Sequence, residues 1–359
     1  MAKLYTDLKI VHFGSKLKDM SKGILSAPIH IRLKPTNKCN HKCYYCCYRN
    51  ENLYLSELIN PNEEIPWKKM KEIIRDLKQM RVKAVTFSGG GEPLYYPYII
   101  KTMKSLLDEG IKIALLTNGS LLKGEIAKVL GQRATWIRIS MDAADSNTYA
   151  KIRGINSEEF DNVCENISNF AKIKNRKAQL GINFIITKEN CNSVYKFLKL
   201  MKGLGVDHVK ISESIVSTKR EDNKKYHFSS LNLVKKQIIR GLSNLVDNNF
   251  KIIDKFDNFI EDSNYYKKKY TWCPFIQCLT VIGADMNVYT CYDKAYTKSG
   301  KLGSIKDKSF RELWFSNKTK EKMLHLNPSK DCMHHCTQHT KNLVLLDYLD
   351  VDKEHMEFV

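Results

Sequence analysis

Eleven cysteines occur in this chain of 359 residues, and most of them are grouped. Cys39, Cys43 and Cys46 form a Cys-x3-Cys-x2-Cys run, with Cys47 directly after. Three thiolates on so tight a loop can hold a [4Fe–4S] cluster and leave one iron without a protein ligand, open to a substrate or cofactor. Zinc would need a fourth ligand, which His41, Cys47 or a water could supply. Cys273, Cys278 and Cys291 form a second group, and Cys332 and Cys336 a third. Four thiolates in two pairs would close a full cluster site, and structural zinc would also accept them. Cys164 and Cys191 stand alone; Cys164 lies in a helical pattern and reads as core. The start, Met1–Asp7, lacks a signal peptide's apolar region, and no apolar run reaches the length of a membrane span. A reducing, cytoplasmic compartment is expected, where clustered cysteines indicate metal or redox chemistry before disulfides.

The elements that must position these thiols alternate. Apolar, β-branched runs predict strands at Ile29–Leu33, Ala84–Phe87, Lys112–Leu116, Trp136–Ile139, Leu180–Ile186 and His208–Ile211. Amphipathic stretches predict helices at Trp67–Met80, Tyr98–Asp108, Leu121–Leu130, Phe160–Ile173, Val194–Leu204 and Leu231–Val246. Strand–helix alternation implies a parallel sheet with right-handed crossovers. Six such units over about 220 residues predict a partial (β/α)6 TIM-like barrel, whose chemistry gathers at the C-terminal strand ends. The first cysteine run directly follows the first strand. After Asn249 the pattern changes. Tyr265–Tyr270 reads as a loop, Val281–Tyr289 as a hairpin and Ser309–Leu326 as a helix, with cysteines on both sides. Lys219–Lys225 reads as a charged loop.

A hydrophobic share of 43% excludes a disordered chain, and the length excludes a small disulfide scaffold. The net charge of +20 admits nucleic acid as a partner. The basic residues are 48 Lys and 11 Arg without an Arg cluster, and Lys is the ordinary solvated surface charge. Composition therefore accounts for the charge better than nucleic-acid binding does.

Taken together, the motifs resemble those of radical S-adenosylmethionine enzymes. The three-cysteine run has an aromatic, Tyr45, before its last Cys. Phe87-Ser88-Gly89-Gly90-Gly91-Glu92-Pro93 follows the second strand, Thr117-Asn118-Gly119 ends the third, Ile139-Ser140-Met141-Asp142 ends the fourth, and Lys151-Ile152-Arg153-Gly154 comes next. The likeness covers Pro28–Ser214. It implies that Cys39, Cys43 and Cys46 hold a [4Fe–4S] cluster whose open iron takes the amino and carboxylate groups of S-adenosylmethionine. Tyr45, Gly89, Gly90, Gly91, Glu92, Asn118, Ser140 and Arg153 would line that cofactor. Residues 270–340 resemble the C-terminal extension called SPASM, or twitch in its one-cluster form, with Met286 where that pattern has Gly. An auxiliary [4Fe–4S] cluster on Cys273, Cys291, Cys332 and Cys336 is implied, with Cys278 the alternative to Cys273.

The implied organisation is an N-terminal segment 1–27, a partial barrel 28–249 and an auxiliary-cluster domain 250–359. With fewer than 30 residues ahead of the first strand, no extra leader-peptide domain is expected. The implied activity is reductive cleavage of S-adenosylmethionine to a 5′-deoxyadenosyl radical. That radical would take hydrogen from a small polar substrate of the sugar, aminocyclitol or nucleotide-sugar type, giving oxidation or epimerisation. Glu213, which follows the sixth strand with Ser212 and Ser214, is the candidate to orient or deprotonate a hydroxyl. Cys191 or Cys278 would donate hydrogen in an epimerase. The alternatives are a maturase acting on a peptide or protein side chain, an RNA-modifying enzyme, and a metal-stabilised protein without catalysis. A flavodoxin- or ferredoxin-type electron donor is the implied partner, and His334, His335 and His339 would surround the auxiliary cluster.

Overall fold

Alternating burial along each strand sets the architecture. In Trp136–Ser140, Ile137 and Ile139 are buried against helices, while Trp136, Arg138 and Ser140 point to the other face. In the computed structural model, which describes residues 5–50, 53, 57–256, 263–352, 354, 355 and 358, seven strands pair in parallel in chain order. They are β1 (His30–Leu33), β2 (Ala84–Phe87), β3 (Lys112–Thr117), β4 (Trp136–Ser140), β5 (Gln179–Ile186), β6 (His208–Glu213) and β7 (Lys251–Asp254). Helices Trp67–Gln79, Ile99–Asp108, Gly124–Arg133, Glu159–Ile173 and Val194–Gly203 return the chain between strands. They cover one face, and the sheet curls around the other as a partial barrel with a polar lumen. The six predicted strands are present, with ends moved by no more than two residues.

The C-terminal part continues the same sheet. β8 (Leu279–Ile282) pairs in parallel with β1, in register His30 with Leu279 through Leu33 with Ile282. β9 (Asn287–Tyr289) returns antiparallel to β8, and β10 (Lys301–Ser304) pairs with β9. The hairpin turn carries Met286 at φ 58°, in the left-handed region where Gly costs least. At the N-terminal strand ends, the 3-10 turn Asp7–His12, helix Gly14–Ser21 and helix His339–Leu349 pack a small core of Ile10, Leu17, Met20, Phe275 and Leu345.

Three local readings are corrected. Residues 219–225 fall largely in a helix, Arg220–Phe228, with Glu221 and Asp222 in its first turn and Lys225 and His227 in its last; those signs suit the helix dipole. Ser309–Leu326 is two helices, Phe310–Trp314 and Asn317–His325, because the Ser316 hydroxyl accepts from Thr319 N at 3.3 Å and starts a new one. β7 has only four half-buried residues, too short a pattern to stand out. Met1–Leu4 lie outside the described residues.

Because β8 covers the edge of β1, removing residues 270–359 would expose the unpaired backbone of a central strand. The truncated chain should be insoluble or aggregated in size-exclusion chromatography. A folded, monomeric truncated protein would show that β1 does not need this cover.

Candidate metal centres

The loop after β1 carries the first cysteines, and backbone bonds clamp it from several element ends. Gly91 N donates to Thr36 O at 3.2 Å, and Glu92 N to Lys38 O at 2.9 Å. A Cβ on Gly91 would overlap the Lys38 carbonyl, and one on Gly90 would overlap the Asn37 amide. Glycine is therefore required for the two loops to approach so closely. Lys42 N donates to Arg153 O at 2.9 Å and Tyr44 N to Ile152 O at 3.3 Å. These bonds use carbonyls that the end of helix Ser146–Arg153 leaves over. Gly154 then turns the chain away at φ 57°. From β3, Asn118 Nδ2 donates to Asn40 Oδ1 at 2.8 Å, beside the first cysteine.

One ion pair lies under the loop. Asp142 is 0% exposed and Arg153 3%. The Arg153 Nη2 donates to Asp142 Oδ2, which also accepts from the Tyr45 hydroxyl. Asp142 Oδ1 accepts from Ile185 N at 2.8 Å. The Arg153 Nη1 lies 3.5 Å from Cys43 Sγ. Tyr45 ties the cysteine loop to the end of β4 through Asp142, which also engages Arg153. Glu92 is similarly committed: its carboxylate accepts from Leu94 N, Thr117 Oγ1 and Asn118 N at 3.0, 2.6 and 2.7 Å. Ser140 faces the lumen at the end of β4, paired in register with Asn183.

The second group lies at the other end of the strands. Cys273 and Cys278 precede β8, whose first residue pairs with the first residue of β1, and Cys291 follows β9 back to the same level. Cys273, Cys291, Cys332 and Cys336 line one small cavity. Cys278 does not line it. It packs beside Leu17 and Leu345, near the Lys16 ammonium. Lys268 Nζ braces the cysteine segment by donating to the carbonyls of Cys332 and His334 at 2.6 and 2.5 Å. Asn342 Oδ1 accepts from Cys273 Sγ at 3.3 Å and from Phe275 N at 3.1 Å. His335 stacks on Tyr265 and His339 on Tyr270.

Both donor sets fit iron–sulfur clusters. Burial pushes the Cys39 thiol up to about 11 and Cys273 up to about 12, so only a cation's charge would displace their protons. Lys34 lies close enough to influence Cys46 and Cys47 electrostatically, and Lys268 to influence Cys332 and Cys336. In a four-iron cube each thiolate binds its own iron, so a cube accepts ligands more widely spread than a single zinc does.

The remaining predicted residues are dispersed. Glu213 is 9% exposed and is raised by burial to about 7. By strand alternation it shares the face of Val209 and Ile211, opposite Ser212. Cys191 is buried, and its thiol donates to Lys188 O at 3.3 Å. Cys164 packs against the main core. Asp142, Asn40 and Lys268 had no role assigned from sequence. An Asp two residues past a strand-end Ser, eleven before an Arg, was the available signal for the first.

Asp142→Asn removes the charge that compensates a buried guanidinium. Denaturant unfolding should show a loss of about 3–5 kcal/mol. Iron analysis of Gly91→Ala should show about half the iron lost, from the first site. Unchanged stability in the first variant, or full iron in the second, would contradict these clamps.

Comparisons agree with the geometry. The Radical SAM superfamily model matches residues 33–188, and the SPASM iron-sulfur cluster-binding domain model matches 273–338. The "Probable GTP 3',8-cyclase" of Saccharolobus islandicus is 25% identical over 205 residues, 57% of this chain and 59% of that protein. The match thus spans less than two thirds of this relative's length. Among solved structures, Streptococcus suis SuiB bound to precursor peptide SuiA has a TM-score of 0.62 at 18% identity, over 89% of this chain and 72% of that one. Native anSMEcpe with bound AdoMet has a TM-score of 0.56 at 17% identity, over 89% and 97%. At these identities the likeness to both structures is one of fold. The two matched families imply a [4Fe–4S] cluster, S-adenosylmethionine and auxiliary iron–sulfur. Matched in the order in which its strands and cysteines run, the chain carries a radical SAM domain followed by a C-terminal SPASM iron–sulfur domain.

Proposed function

We propose that the protein takes hydrogen from a small polar substrate held in the barrel lumen, giving oxidation or epimerisation. The carrying observation is the placement of two cysteine groups at opposite ends of the same strands, with a polar lumen between them. A cluster held at the upper loop would, with S-adenosylmethionine, supply one-electron reductive cleavage of a carbon–sulfur bond, and hence hydrogen-abstracting radical chemistry. Cys39, Cys43 and Cys46 are the ligands we assign there. Gly89–Gly91, Asn118 and Ser140 border the cofactor's space, while Tyr45, Glu92 and Arg153 hold the walls. For the lower site we assign Cys273, Cys291, Cys332 and Cys336 to one auxiliary cluster. Cavity lining favours Cys273 over Cys278. A flavodoxin- or ferredoxin-type protein is the electron donor we expect.

A second reading, modification of a peptide or protein side chain, is supported by the fold likeness to SuiB, a protein solved with its precursor peptide. The two readings differ in substrate and share the chemistry.

Anaerobically reconstituted protein should carry about eight irons and, with dithionite, convert S-adenosylmethionine to 5′-deoxyadenosine and methionine. Cys43→Ala should retain about four irons and lose this cleavage. S-adenosylhomocysteine as the sole product would overturn the radical reading. Mass spectrometry after incubation with sugar-type or peptide pools separates the two substrate classes.

A further inference from the structure

The lumen wall between the two cysteine groups is more positive than a neutral substrate requires. Arg32 on β1, Arg138 on β4 and Lys210 on β6 all lie on lumen-facing positions of their strands, opposite to the core residues Leu33, Ile139 and Ile211. None of the three has an ion-pair or hydrogen-bond acceptor among the described residues. Arg32 only stacks its guanidinium on Tyr292, 4.0 Å from the ring centroid. The Nε atoms of Arg32 and Arg138 are buried without a partner. Lys210 is pushed down to about 7 by burial and by Arg138, and Lys341 adds to the effect. Glu213 acts on Lys210 and Asp293 on Arg32, but neither carboxylate is within ion-pair reach of its cation.

Donor hydroxyls line the same surface. Ser88, Ser212 and Ser214 are 4%, 8% and 2% exposed, and their Oγ atoms have no partner. By strand alternation all three face the lumen, Ser88 beyond Thr86 and Ser212 and Ser214 beyond Lys210. Buried hydroxyls are ordinarily paired, and buried cations ordinarily compensated. Three orphaned hydroxyls and three cations without an ion-pair partner among the described residues, around one space, indicate an occupant that brings several acceptor oxygens and more than one negative charge.

We propose that the lumen binds the phosphate groups of a phosphorylated small-molecule substrate through Arg32, Arg138 and Lys210. This deepens the functional reading above and rests on it, since it places the substrate in the same lumen. A single carboxylate brings one charge and would leave two cations unmatched. A phosphate or diphosphate matches both the charge and the number of donors, and the planar guanidinium suits its oxygens. Lys268 and Lys294 already attend the lower cysteines, so the auxiliary site does not require the lumen cations.

The test uses anaerobically reconstituted protein with S-adenosylmethionine present, titrated calorimetrically with inorganic pyrophosphate and, separately, with a hexaglutamate peptide. Pyrophosphate should bind, and Arg138→Gln and Lys210→Met should each weaken it at least about tenfold. Arg138→Lys, which keeps the charge, should lose less. The exposed-site control Lys104→Gln should bind as the wild type does. Should the variants lose their iron, the wild type alone decides: pyrophosphate must raise its thermal midpoint above that in potassium chloride of equal ionic strength. No binding, no such rise, or affinity unchanged in folded variants overturns the proposal. Hexaglutamate binding that falls with the same variants overturns it in favour of an acidic peptide. Dithionite-dependent 5′-deoxyadenosine formation by the wild type, without added anion, tests the underlying radical reading separately.

Discussion

A carboxylate without access to solvent governs the upper end of this barrel. Asp142 receives a guanidinium, a phenol and a backbone amide at once, from Arg153, Tyr45 and Ile185. Each donor belongs to a different part of the chain: the helix after β4, the cysteine loop, and β5. A buried charge pair contributes little net stability, but breaking it by halves is costly. The arrangement therefore acts as a requirement: the loop docks in one position, or a charge stays unmatched in the interior. Arg153 also reaches toward Cys43, so the anchor and the thiol share a side chain.

The rest of the site follows from that docking. With the loop in place, Gly91 and Glu92 can reach Thr36 and Lys38 only because no Cβ intervenes. Glu92 then joins the end of β2 to the end of β3 through Thr117 and Asn118. At the other end, β8 extends the sheet beyond β1 and sets the height at which Cys273 and Cys291 appear. One sheet thus fixes both cysteine groups, and the lumen wall lies between them. The C-terminal segment is structurally part of the barrel even though its chemistry differs.

Much of this was legible in the sequence. The strands stood out because their outward residues, such as Ile182, Phe184 and Ile186, are long, apolar and regularly spaced. The cysteines stood out by type and spacing. Pairing was not legible: nothing in Leu279–Ile282 states that it docks on β1 rather than forming a separate module. Nor could spacing separate Cys273 from Cys278, which fall on either side of the 3-10 turn Pro274–Gln277 and face different surroundings. The motif residues stood out by type and spacing, but their protein partners did not. Tyr45, Glu92 and Arg153 bind protein groups because burial demands partners for polar atoms, a demand that depends on tertiary neighbours.

The central claim is that one of two clusters is open to S-adenosylmethionine and the other is closed by four thiolates. Electron paramagnetic resonance of the dithionite-reduced protein, recorded with and without S-adenosylmethionine, tests this most directly. The account predicts two reduced-cluster signals, of which one shifts on adding the cofactor and the other stays fixed. A single signal, or two signals that both ignore the cofactor, would contradict it.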